Sequence, residues 1–160
     1  MAESFAWRNK ANSMKIWGLT DRGTVREQNQ DTFHLWKEDN TAALLVCDGM
    51  GGARAGNVAS ALAAQAFTEA IQHSDAQPDQ RLTAALAQAN EQVYQRAHRD
   101  PDCRGMGTTL VAALVEGNLA HIINVGDSRA YYLSQDGIRQ ITIDHSLVQD
   151  LLQRGHITPE

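Results

Sequence analysis

Hydrophobic and polar positions change their period along the chain, and each change marks a change of secondary structure. Residues 15–19, 32–36 and 42–47 are short runs rich in β-formers or apolar residues. Residues 37–40 supply a polar turn between the last two, so the first third reads as antiparallel strands. From 55 to 72 the composition turns to Ala, Leu and Gln, and Val58, Leu62, Phe67 and Ile71 recur near helical spacing. Residues 74–78 break that helix. A second amphipathic helix carries Leu82, Leu86, Ala89, Val93 and Ala97 and ends near Asp100-Pro101. Beyond Gly105, residues 108–115, 119–125 and 130–133 read as strands joined through Glu116-Gly117-Asn118 and Gly126-Asp127-Ser128, and Asp136-Gly137 turns into 138–143. Residues 146–154 read as a short last helix. Strands, then two helices, then strands joined as hairpins predict an antiparallel sheet covered by helices, a layered α+β arrangement. Trp17 is expected in its core.

Composition narrows the classes. The 160 residues amount to one domain, enough to bury roughly two thirds of the unfolded surface. The longest uninterrupted apolar runs, 42–47 and 110–115, fall far short of the roughly 20 residues that span a bilayer. Fourteen Lys and Arg against nineteen Asp and Glu leave a net charge of −5, without the basic footprint of a general nucleic-acid binder. Trp7, Trp17 and Trp36 are not interleaved with basic residues either. Cys47 and Cys103 have no paired spacing and read as reduced thiols of a cytoplasmic protein. Residues 1–13 contain no apolar core that would make a secretory signal and are expected to form a disordered leader. The six histidines include no H-x-x-x-H pair, which argues against zinc. His121, in a predicted strand, reads as a core or edge histidine.

Three strand-to-turn junctions each carry an aspartate. In Leu44-Leu45-Val46-Cys47-Asp48-Gly49-Met50-Gly51-Gly52, an apolar strand ends on a carboxylate and runs into a glycine-rich turn before a helix. A rigid strand end is where a functional acid is best held, although a turn-forming Asp-Gly gives the same letters. Gly51 to Gly56 fits G-x-x-x-x-G, but Asn57-Val58 follows where a phosphate loop needs Lys and then Ser or Thr. Asp48 would also repel a phosphate unless a cation lay between them. Asp31, at the end of the polar loop Arg26-Glu27-Gln28-Asn29-Gln30-Asp31, could join Asp48 in holding a hard divalent cation, which prefers oxygen ligands. Arg26 offers a planar fork for a phosphoryl group; a solvated charged turn is the alternative. In Gly126-Asp127-Ser128-Arg129-Ala130-Tyr131 the plain reading is a hairpin turn with an Asp127–Arg129 surface pair.

Together these segments resemble the metal-dependent type 2C protein serine/threonine phosphatases of bacteria. The motifs that carry the resemblance are Gly23-Thr24-Val25-Arg26 with Asn29-Gln30-Asp31, Val46 to Gly52, Gly105-Met106-Gly107-Thr108-Thr109, Val125 to Tyr131, and Asp144-His145-Ser146, in the family's order. The resemblance implies an α-β-β-α sandwich of two antiparallel sheets flanked by helix pairs, incomplete at its C-terminus. Residues 14–160 would then be the N-terminal two thirds of the domain.

On that pattern Asp48 bridges two Mn²⁺ or Mg²⁺ ions, Asp31 and the Gly49 carbonyl ligate them, and Asp127 holds a third, weaker ion. Gln30 acts on the metals through water, and Arg26 binds the substrate phosphate. The implied reaction is attack of a metal-bridging hydroxide on phosphoserine or phosphothreonine, without a phosphoenzyme. The implied partners are phosphorylated proteins and a cognate kinase, with no nucleic acid and no membrane.

Three features depart from the family pattern. Gln30 stands where an acid is usual and contributes no charge. Met50 stands where many eukaryotic members have a histidine, which leaves leaving-group protonation to water. Two further metal-binding aspartates of the family have no counterpart in the chain. A truncated pseudophosphatase that binds phosphoproteins or a kinase therefore remains the rival reading, with a nucleotide binder behind it.

Overall fold

The computed structural model describes residues 3–6 and 14–145. Its main sheet is antiparallel, in the order β1 (Glu3–Ala6), β6 (Leu119–Val125), β5 (Leu110–Glu116), β3 (Thr41–Met50), β2 (Asp31–Glu38), with the two-residue β4 (Gly107–Thr108) paired to the end of β3. Two helices, α1 (Gly52–Gln72) and α2 (Pro78–Arg99), lie antiparallel on one face. A separate hairpin, β7 (Tyr131–Ser134) with β8 (Gly137–Gln140), forms the second sheet. The layered α+β expectation holds, with two antiparallel sheets and one helix pair among the described residues.

Strand alternation and helix period meet in one core. Ala43, Leu45 and Cys47 of β3 point toward the helices, where Phe67 and Ile71 of α1, Leu82 of α2 and Leu114 of β5 are fully buried. Small residues on α1, among them Ala55, Ala59 and Ala63, let it lie close against the sheet. Helix α2 starts on Pro78, whose fixed φ suits a first turn. Arg96, His98 and Arg99 oppose the negative end of its dipole in the last turn. Thr32 and His34 of β2 also face α1, bonding Ser60 at 3.0 Å and Thr68 at 3.1 Å.

Several expected elements are redrawn. Residues 15–19 form no strand, because their backbone enters no ladder; Trp17 is 77% exposed and not core. The segment instead crosses the outer face of the sheet, where a side chain at Gly18 would collide with the Phe33 ring. Glu3–Ala6, inside the expected leader, forms β1 against the open edge of β6, whose backbone groups a short peptide can satisfy. The rest of residues 1–13 and the helix expected at 146–154 lie outside the described residues. Gly126-Asp127-Ser128 is no hairpin turn: β6 does not pair with β7, and the loop carries the chain from the first sheet to the second. The run expected at 108–115 is split at Thr109 into β4 and β5.

Candidate metal and phosphate site

The β2–β3 register decides the site. The two strands run in unbroken antiparallel pairing from Glu38 opposite Thr41 to Asp31 opposite Asp48. Two carboxylates that lie apart in sequence thus become direct cross-strand neighbours, where like charges repel. The consequence falls on Asp48, whose pKa is raised by partial burial first, then by the charge and hydrogen bond of Asp31, with Asp127 adding a smaller push. Arg26 counters it, with Nη1 3.9 Å from Asp48 Oδ1. Arg26 and Asp48 are about half exposed, at 54% and 51%. They open into a cleft of about 330 Å³ lined by the 21–26 turn, Asn29, Asp31 and Asp48. A larger cavity of about 840 Å³, between α2 and the β4–β5 strands, is lined by none of these carboxylates.

The glycine turn after Asp48 is shaped by close approach. A side chain at Gly49 would stand 1.8 Å from the carbonyl oxygen of Gly56, so the start of α1 can lie against β3 only because both positions are glycine. Gln30 straps this turn from the other side. Its backbone oxygen accepts from Gly49 N at 3.0 Å, and its Nε2 donates to Gly52 O at 2.7 Å. Only its Oε1 is left for the role through water that the family resemblance implies. Asn29 fixes the start of β2 by accepting from Asp31 N at 3.0 Å.

Cys47 adjoins Asp48 but is fully buried, and burial pushes its thiol up to about 12 against a smaller lowering by Thr108. It is a protonated core residue. Met50, 58% exposed, brings no titratable group to the rim. Arg129 does not pair with Asp127 as the plain reading had it. It forms a two-point ion pair with Asp144, Nε to Oδ1 at 2.8 Å and Nη2 to Oδ2 at 2.6 Å, which holds the Asp144 carboxyl below its ordinary range. With His145 N donating to Gly126 O at 2.8 Å, this pair ties the end of the described chain to the loop that carries Asp127. No spacing in the sequence signals that partner.

The donor set suits a hard cation in kind, because facing aspartates are relieved by a divalent ion and soft ligands are absent from the cleft lining. In number it is partial. Among the described residues no three His, Cys, Asp or Glu side chains converge into a complete metal site.

The family model described as protein phosphatase 2C matches residues 22–148. The serine/threonine phosphatase stp of Listeria welshimeri is 41% identical over 147 residues, covering 88% of this chain and 58% of that protein. Among solved structures, the serine/threonine phosphatase Stp1 from Staphylococcus aureus superposes with a TM-score of 0.78 at 35% identity, over 99% of this chain and 59% of that one. The catalytic domain of the serine/threonine protein phosphatase PstP, solved with two manganese ions, gives 0.72 at 34% identity, over 99% and 62%. The chain thus spans less than two thirds of each of these relatives.

Proposed function

Because the chain belongs to the protein phosphatase 2C family, we propose that residues 14–160 are the N-terminal part of a domain that hydrolyses phosphoserine and phosphothreonine in proteins. The observation that carries the reading is the cross-strand Asp31–Asp48 pair with Arg26 beside it at the cleft. Asp48 and Asp31 would hold Mn²⁺ or Mg²⁺ with the Gly49 carbonyl, and Asp127 would hold a further ion. When bound, the cations supply a water of lowered pKa and stabilise charge on the phosphoryl group.

The chain's own residues do the rest. Arg26 presents its guanidinium to two phosphate oxygens and is free to shift from Asp48, since 3.9 Å is too long for a hydrogen bond. Asp48, whose carboxylate form is disfavoured by partial burial and by the charge of Asp31, would be relieved by a cation held between the two. Cys47 offers no thiolate, which supports direct attack of water on phosphorus over a cysteinyl phosphoenzyme. With Met50 at the rim, the proton for the leaving serine or threonine oxygen comes from water. The substrates would be phosphorylated cytoplasmic proteins, with a cognate kinase as partner. No helix among the described residues is long and apolar enough to cross a membrane.

The partial ligand set favours a second reading, a module that binds phosphoproteins without turnover. Hydrolysis of p-nitrophenyl phosphate and of a phosphothreonine peptide, each with and without Mn²⁺, separates the two. Manganese-dependent turnover supports the phosphatase. Phosphopeptide binding without turnover, in this chain and in one extended past Glu160, would overturn it.

A further inference from the structure

We infer that Thr109 is a positioning residue that sets Asp48 and Asp127 relative to one another, through a hydroxyl shared between the two loops. The inference rests on the reading of those aspartates as metal-facing groups and adds a residue to which that reading gives no task.

Thr109 is 4% exposed and stands at the break between β4 and β5. It clamps the Asp48 backbone at both ends of the residue: its N–H donates to Asp48 O at 2.9 Å, and its Oγ1 accepts from Asp48 N at 2.9 Å. Thr108 Oγ1 adds a third bond to the same carbonyl at 3.0 Å. The Thr109 hydroxyl also bonds Ser128 Oγ at 2.6 Å. On its other branch, the γ-methyl packs so closely on Gly126 that a side chain there would come within 2.6 Å of Thr109 Cγ2. Gly126 and Ser128 flank Asp127 in the chain. One side chain therefore touches both neighbours of Asp127 and the backbone of Asp48, at the crossing where the chain leaves the main sheet.

Threonine alone does this among the small residues. Valine keeps the methyl contact with Gly126 and loses the hydroxyl; serine keeps the hydroxyl and loses the methyl. Because the hydroxyl accepts from a backbone N–H, its own proton is available to Ser128, so both oxygens can be satisfied at once. Metal affinity is sensitive to such outer contacts, which typically alter it by 10–100-fold.

The test follows backbone amide signals by NMR while Mn²⁺ is titrated into the chain, since paramagnetic broadening reports weak binding site by site without any assay of turnover. Thr109→Val should need about tenfold more Mn²⁺ to broaden the Asp48, Gly49 and Asp127 amides by half. Thr109→Ser should stay close to the wild type. Ser128→Ala should weaken the response at Asp127 more than at Asp48, and it carries the test if Thr109→Val does not fold. A folded Thr109→Val with an unchanged manganese response would overturn the inference, as would an unchanged Ser128→Ala in the event that the valine variant is unfolded. Thr109→Ser as impaired as Thr109→Val would assign the effect to packing and reject the hydroxyl. If the wild type shows no broadening at Asp31, Asp48 or Asp127, the metal reading fails first, and the inference falls with it.

Discussion

Leu45 and Asp48 share one strand and have opposite environments. Leu45 is 3% exposed beneath α1, whereas the Asp48 side chain is 51% exposed at the rim. The helix-covered face is held by many apolar contacts, so any one of its large side chains is costly to remove. The rim is held by backbone bonds to Gln30, Thr108 and Thr109, which leaves its side chains free for chemistry and even placed against their own charge. Stability sits one turn of the pleat away from the site and is largely separable from it.

The sharpest way to break that separation is Phe67→Ala. Phe67 is fully buried between the helices and the sheet, and its truncation should cost about 3–5 kcal/mol in urea unfolding. A loss under about 1 kcal/mol would mean that the core is not packed as described.

Asp48→Asn probes the other side. In metal-free buffer it should not lower the melting temperature, and metal-dependent turnover should fall by more than about 100-fold. The pH dependence has a definite sign. The folded-state pKa of Asp48 lies above its ordinary value, mainly through partial burial and then the charge of Asp31. The protonated form is thus favoured by folding, and that advantage is lost as pH rises above the ordinary aspartate value of about 4. Thermal scans from pH 4 to 7 should show the asparagine variant gaining on the wild type as pH increases. A wild type that gains instead would place Asp48 in a net favourable field.

Arg26→Ala should be smaller in effect, about a tenfold rise in KM for a phosphopeptide with little change in the manganese requirement. The reverse split, metal affinity lost and KM kept, would reassign Arg26 to the cations.

The smallest effect is expected for Gln30→Glu. The charge alone would favour cations, yet the structure places Nε2 on Gly52 O. A carboxylate there loses a donor and faces a carbonyl, at a cost of about 1 kcal/mol. The manganese concentration for half-maximal activity should therefore stay level or rise. A clear fall would show the side chain swinging away from Gly52 toward the metals.

The sequence by itself determined the elements of the core and the identity of the candidate acids. The uninterrupted apolar run 42–47 and the 3.6-residue stripe through Phe67 and Ile71 are local signals of a buried strand and of a helix with one buried face. An acid closing an apolar strand is visible in a single line of letters at Asp48. Tertiary structure alone decided that Asp31 stands opposite Asp48, because register is a property of two strands and of the Asp39-Asn40 turn between them. It decided that Arg129 takes Asp144 and leaves Asp127 unpaired with it, and that Trp17 remains exposed although its composition suits a core. Thr109 shows the limit most plainly: in sequence it is the last letter of a glycine-threonine motif. Its three contacts, with Asp48, Gly126 and Ser128, come from segments remote in the chain, and only chain packing brings such partners within hydrogen-bond reach.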